Sequence, residues 1–445
     1  MRAEEGTGEP GSGVDGGSEA HSAPEGMNEP ANGSLPEPGS LKRRPIGKIV
    51  AMVAVVLALA AGGAFWALRS LQGTPIGSEA GSAIRSEPGA VFPVVQPASA
   101  VTAPASDATE VNPAAPVTVT ARNGTLDNVS LRSSTGDDVE GTLDSGRTVW
   151  TSTGQLTFNA TYTLSYTTLD AAGRTTTSTS TFKTVSTANE ADAAMYPLDG
   201  MSVGVAQPIQ LTFSEPVKNK KAVEKAITIT STSGQTGAFH WFSDTVVRYR
   251  PEQYWAAHST ISVKMDLFGV DLGNGQIGNF SKTDTVHIGD KRTAVADAQA
   301  HTFTAYINDQ PVHTWPATLG DTRFPSAKGF LVLMEKQRKA HFVAASIGLK
   351  PGDPANYGEL DVEYATRLTP SGEFIHQATD TAIPYLGVAN VSHGCIGLGP
   401  DGASWVFNNM TTGDVVQIVN TEGDFANFND GFGDWNIPWS QYANG

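Results

Sequence analysis

The chain has 445 residues, 39% hydrophobic and 17% charged, with a formal net charge of −16 at pH 7 and a pI near 4.9. One core cannot organise that length, so several domains are expected; the acidic balance argues against nucleic acid, whose phosphates repel such a surface. A single cysteine, Cys395, excludes an internal disulfide and any Cys-rich zinc or iron–sulfur site.

Residues 1–48 are rich in Gly, Pro, Ser and Glu, and 1–41 carry eight acidic side chains against one Arg. That composition buries too little apolar surface to order itself, so a disordered cytoplasmic tail is expected. The next stretch, IVAMVAVVLALAAGGAFWAL at 49–68, holds no charge over 20 residues. As a helix it would be ~30 Å long, the thickness of bilayer hydrocarbon. Lys42, Arg43, Arg44 and Lys48 precede it and only Arg69 follows closely. The positive-inside rule then puts the N-terminus in the cytoplasm and everything after 69 outside. A cleaved signal peptide has a shorter apolar region nearer the N-terminus, so one uncleaved transmembrane helix is expected. Residues 69–115, rich in Pro, Ser and Ala, read as a semi-extended spacer.

From Pro116 the pattern changes. Short alternating runs such as PVTVTARNG, LTFNATYTLSYTTLD and RTTTSTSTFKTV, punctuated by Gly, Asp and Asn, predict an immunoglobulin-like β-sandwich over 116–186. QPIQLTFSEPV, ITITST, GAFHWFSDTVVRYRPE and STISVKMDLFGVD predict a second over 187–290, with a short helix at KKAVEKAI. His240, Trp241 and Trp255 are assigned to core packing there in preference to a ligand groove, because sandwich cores commonly contain Trp. A third, mostly β domain covers 291–420. TFTAYINDQPVHTWPATLG reads as a hairpin turning at NDQ, and GFLVLMEKQR, KAHFVAAS, VEYATRLTPSGEFIHQ and GDVVQIVN as further strands. DGASWVFNNMTTG is its helix, with Asp401 as N-cap and Gly413 as stop. Residues 421–445 hold Trp435, Ile437 and Trp439; at ~2 kcal/mol per large apolar side chain left in water, this segment is expected to pack back onto a domain.

Cys395 lies in NVSHGCIGLGP, and a thiol becomes a nucleophile as its thiolate, which needs a base or cation nearby. His393 stands two residues before it and His376 ends the strand GEFIHQ. Gly394 leaves room for a carbonyl to approach the backbone, where consecutive amides can hold an oxyanion. Nucleophile, base and amide donors are therefore all present. A small buried hydrophobe is nevertheless the commonest state of a free cysteine, and the spacing alone does not separate the two readings.

The order of residues does. His376, fifteen residues, then Ser392-His393-Gly394-Cys395 reproduces H-x(14–17)-[ST]-H-G-C. This resembles the L,D-transpeptidases of bacterial cell walls, those with a YkuD-type catalytic domain. GEFIHQA is similar to that family's base-bearing strand, TGDVVQIVNT to its last catalytic-domain strand, and DGFGDWNIPWSQY to the C-terminal subdomain of its actinobacterial branch. Two immunoglobulin-like domains after an anchor match that branch too. The resemblance implies Cys395 as nucleophile, His376 as general base oriented by the main-chain carbonyl of Gln377, and His393, also counted among the catalytic positions. It implies an oxyanion hole from the amides of His393, Gly394 and Cys395, a lid tyrosine at Tyr357 and a motif serine at Ser392. It further implies peptidoglycan stem peptides as donor and acceptor, 3→3 cross-links made through a thioester with loss of D-alanine, carbapenem-type β-lactams as covalent inhibitors, and no metal or organic cofactor. Two positions depart from the pattern. Gly397 replaces the usual Asn or Arg after the motif, and Asp380 stands near the place of a common Trp. Trimming of tetrapeptide stems by water and a catalytically weakened surface protein stay open as alternatives. A sortase-like enzyme would need a Thr-rich strand before Cys395 and an Arg after it, and a papain-like or NlpC-like one places Cys ahead of His; neither fits.

Overall fold

The computed structural model describes residues 95–445. The expected tail, the expected helix at 49–68 and most of the expected spacer lie outside the described residues. Among the described residues, no helix is long and apolar enough to cross a membrane.

The spacer ends earlier than its composition predicts. Strand Ser99–Ala103 pairs antiparallel with Thr118–Arg122, and Ala108–Val111 pairs in parallel with Thr175–Thr184. The first sandwich thus begins at Ser99 rather than at 116. Pro97, Pro104 and Pro113 obscured the alternation; each falls just outside a strand, where no ladder hydrogen bond is required of it. Sheets of four and five strands enclose Val119, Leu126, Trp150, Leu164 and Phe182. The second sandwich packs two four-stranded sheets and a three-stranded one. Strand Ile209–Phe213 shows how alternation builds it, with Ile209, Leu211 and Phe213 buried and the residues between them facing outward. Trp255, 2% exposed, lies in that core and donates Nε1–H to the Gln207 carbonyl at 2.9 Å. Trp241 donates to Glu224, and the His240 ring stacks on Tyr442 at 4.8 Å.

A nine-stranded sheet carries the third unit. Its order is Gly329–Val332, Val415–Val419, Arg292–Asp297, Thr302–Ile307, Gln310–Thr318, Ile396–Leu398, Phe374–Gln377, Glu359–Arg367, Lys336–Val343. Asn308 and Asp309 turn the expected hairpin, both with positive φ (51° and 63°), the pairing that two-residue hairpin turns favour. The expected strand at GFLVLMEKQR is two, separated at 333–335. The helix is Pro400–Asn409, capped by Gly399, so Asp401 sits inside the first turn, where its charge suits the helix dipole. The helix stops at Asn409, and Met410 is its C-cap. Gly413 instead meets the second sandwich: Gly204 and Ala206 donate their amides to the carbonyls of Thr412 and Gly413 at 2.8 and 2.9 Å.

The C-terminal segment packs back as expected, onto both the third unit, where Phe330 and Asn436 exchange two hydrogen bonds at 2.8 Å, and the second sandwich. Arg248 reaches Asp434 at 2.8 Å, with both side chains buried. Arg250 donates to the carbonyls of Asp434 and Ile437 at 3.1 and 2.9 Å and lies over the rings of Trp435 and Tyr442. The second sandwich and the third unit are thereby clamped by charge, aromatic faces and main-chain hydrogen bonds together.

Candidate active site

The short parallel pair Phe374–Gln377 and Ile396–Leu398 organises the site. Its register sets Ile375 opposite Ile396 and His376 opposite Gly397. Parallel partners share a face, and so do residues two apart, which puts Cys395 on the face of His376. Both line one cavity of about 540 Å³, together with Phe342, Tyr357, Arg367 and Tyr385. Phe342 stands edge-on to the His376 ring at 5.5 Å, and both Phe342 and Cys395 pack against the cluster of Ala340, Val362, Ala365 and Phe374.

His376 is buried, and its Nδ1–H donates to the Gln377 carbonyl at 2.7 Å. A carbonyl only accepts, so the bond fixes the tautomer and leaves Nε2 as a free acceptor. Burial pulls the imidazole below the ordinary histidine value, with the Gln377 carbonyl opposing. Burial pushes the Cys395 thiol up to about 12; the Glu373 carboxyl adds to this, while the Phe374 amide and Arg367 oppose it. Thiol and imidazole are therefore both neutral at rest, and Sγ–H donates weakly to the Gly372 carbonyl at 3.6 Å. Only the neutral imidazole can accept a proton, and a lowered pKa keeps it neutral to lower pH. The acid limb of a pH–rate profile for acylation of Cys395 is thus expected below the ordinary value of 6.5. Alkylation by iodoacetamide, which requires free thiolate, is expected to climb to the top of the accessible range.

The loop 392–395 is tied from three sides. Ser392 Oγ donates to the Cys395 carbonyl at 2.6 Å and accepts the Gly394 amide at 3.2 Å. The motif serine is thus spent on its own loop, and the Gly394 amide is engaged there, which departs from its expected place in the oxyanion hole. Among the described residues the amides of His393 and Cys395 have no acceptor. Gly394 takes φ of +113°, a conformation open to glycine and costly for other residues. The His393 ring is also committed: Nε2–H donates to the Ala355 carbonyl at 2.9 Å, between Phe324 and Tyr357. Its side chain fastens the segment carrying Tyr357 to the nucleophile loop, so what it offers to chemistry is its main-chain amide. Tyr357, half-buried, forms the cavity wall on that side.

The two departures from the family pattern have structural answers. A Cβ at Gly397 would lie 2.8 Å from Thr318 Cγ2 and 3.5 Å from Ala378 Cβ. Thr318 fills that space, donating Oγ1–H to the Ala389 carbonyl and accepting the Val391 amide. Thr318, on the neighbouring strand, thus occupies the space that a side chain at 397 would need and ties the segment 389–391 to that strand. Gly397→Asn is expected to cost about 1–3 kcal/mol through overpacking, and the same change in a Thr318→Ser background distinctly less, read by denaturant titration. Asp380 is exposed, and Tyr385 lines the cavity a few residues later, so an aromatic ring is present on that wall. Thr318 and Tyr385 were missed in the sequence because their roles depend on strands and loops far from the motif.

A β-rich domain that sets a cysteine and an oriented imidazole on the wall of one cavity, with two free amides at the cysteine, defines a thiol-dependent acyl-transfer enzyme. Residues 291–418 match the model of the L,D-transpeptidase catalytic domain, and residues 108–271 that of a bacterial Ig domain. The chain is 35% identical over 331 residues to L,D-transpeptidase 2 of Mycobacterium tuberculosis, covering 74% of this chain and 80% of that protein. It is 37% identical over 227 residues to L,D-transpeptidase 1 of the same species, covering 51% and 84%. A solved structure of an LD transpeptidase in complex with imipenem is 37% identical, with a TM-score of 0.45, over 51% of this chain and 99% of that one. The chain belongs to the L,D-transpeptidase family and is an L,D-transpeptidase.

Proposed function

We propose that this enzyme joins peptidoglycan stems by 3→3 cross-links, with Cys395 as nucleophile and His376 as base. The observation that carries the reading is the His376 Nδ1–H bond to the Gln377 carbonyl, which aims a free Nε2 into the cavity that Cys395 also lines. As a tetrapeptide stem enters, the thiol turns from Gly372 and gives its proton to Nε2. Sulfur bonds to the carbonyl carbon of the third residue, and the oxyanion settles on the amides of His393 and Cys395. The C–N bond to the terminal D-alanine then breaks, and His376 returns the proton to the leaving amine. The thioester keeps its acyl-transfer potential until an amine of a second stem attacks. That amine gives its proton to His376, and the sulfur leaves and regains it. Tyr357 and Tyr385 flank the bound stem.

A β-lactam presents an amide carbonyl too, activated by ring strain, so a carbapenem acylates Cys395 and stays attached. The two sandwiches act as immunoglobulin-like spacers, and residues 49–68 anchor the chain with its catalytic unit outside the membrane; the charge-free run of 20 residues behind a basic cluster supports this. Incubation of the purified enzyme with a disaccharide-tetrapeptide, followed by mass spectrometry, tests the reaction. A dimer lacking one alanine is the expected product. Tripeptide monomer alone would show that water, not an amine, resolves the thioester.

A further inference from the structure

Ser326 lies outside every motif in the sequence, yet it is fully buried behind the nucleophile loop. Its Oγ–H donates to the Gly394 carbonyl at 2.6 Å, and its Oγ accepts the Gly320 amide at 2.9 Å. Its own carbonyl accepts Thr421 Oγ1–H at 2.8 Å, so the residue is held by main chain and side chain alike. A trans peptide points its C=O and N–H in opposite directions. A Gly394 carbonyl drawn inward by Ser326 therefore turns the Cys395 amide outward, to the side on which Cys395 and Ser392 line the cavity. Without that bond nothing among the described contacts holds this peptide unit, and glycine at 394 permits it to rotate.

We propose that Ser326 is a positioning residue that aims the Cys395 amide at the oxyanion formed during acylation. The assignment rests on Cys395 being the nucleophile. It differs from the part played by Ser392, which ties the Cys395 carbonyl and the Gly394 amide on the other side of the same loop.

The test compares two reactions of one thiol. Acylation by imipenem builds charge on a carbonyl oxygen and uses the amide, whereas alkylation by iodoacetamide is a displacement at carbon that forms no oxyanion. For Ser326→Ala, the second-order rate of imipenem acylation is expected to fall on the order of 10²-fold, the usual cost of one oxyanion donor, with alkylation within about threefold of wild type. Ser326→Thr, which keeps the hydroxyl, is expected to restore acylation. Equal loss of both rates, or no loss of acylation, would overturn the proposal. An unfolded alanine variant would reveal itself by alkylation at the rate of free cysteine. Ser326→Cys, near-isosteric but a poorer donor, then takes its place under the same expectations, with adducts located at Cys395 by peptide mapping. Failure of the wild type itself to acylate would instead remove the nucleophile assignment, and this one with it.

Discussion

Cys395→Ala is expected to leave the folded protein without any covalent imipenem adduct and without release of D-alanine from a tetrapeptide stem. Intact-mass spectrometry of wild type and variant reads the first, and product analysis the second. This is the only sulfur nucleophile in 445 residues, so nothing else in the chain can form the thioester. The site loses little else: Cys395 is partly buried against the cluster that contains Phe374, and a smaller side chain there widens the cavity. His376→Ala is expected to retain the thiol and slow acylation by roughly 10²–10⁴-fold, the range for loss of a positioned base. The thiol it leaves behind is pushed up to about 12 by burial. A wild-type rate in His376→Ala would remove the imidazole from the mechanism.

Asp434→Ala is expected to be the most damaging change far from the cavity. Its carboxylate is fully buried, pairs with Arg248 at 2.8 Å and accepts Tyr442 Oη–H at 3.2 Å. Removing it strands a guanidinium in a dry interface, a situation that typically costs about 3–5 kcal/mol. That corresponds to a fall in melting temperature of roughly 10 °C for a unit of this size. The damage falls where the C-terminal segment joins the second sandwich to the catalytic unit, so that junction is expected to become sensitive to protease first. Calorimetry and limited proteolysis check both statements. Breaking the exposed Arg132–Asp138 pair, by contrast, is expected to leave the melting curve unchanged, since water replaces it on both sides.

The two changes differ in how visible they were beforehand. Cys395 and His376 stand in a motif whose order, histidine before cysteine at a fixed interval, spans one connection between two adjacent parallel strands, so linear spacing carries the geometry. The alternation of Ile209, Leu211 and Phe213 carries its strand for a similar reason, because a period of two is a local property of the backbone. Asp434 carried no such mark. Its neighbours Trp435 and Trp439 announced that the segment packs, but the partner, Arg248, is 186 positions away. The onset of the first sandwich at Ser99 was hidden because small residues and prolines weaken the alternation that the sheet itself enforces.

By itself the amino-acid order determined the β-rich class, the run of sandwiches before a catalytic unit, and the motif that joins His376 to Cys395, because each follows from short-range periodicity or from a pattern contained in some twenty residues. Only the tertiary structure decided which amides stay free for an oxyanion, that His393 and Ser392 spend their side chains on the loop, and that Thr318 and Ser326 brace it. Those assignments depend on which donors and acceptors meet across strands distant in the chain, and hydrogen bonding of that kind leaves no periodic trace in sequence.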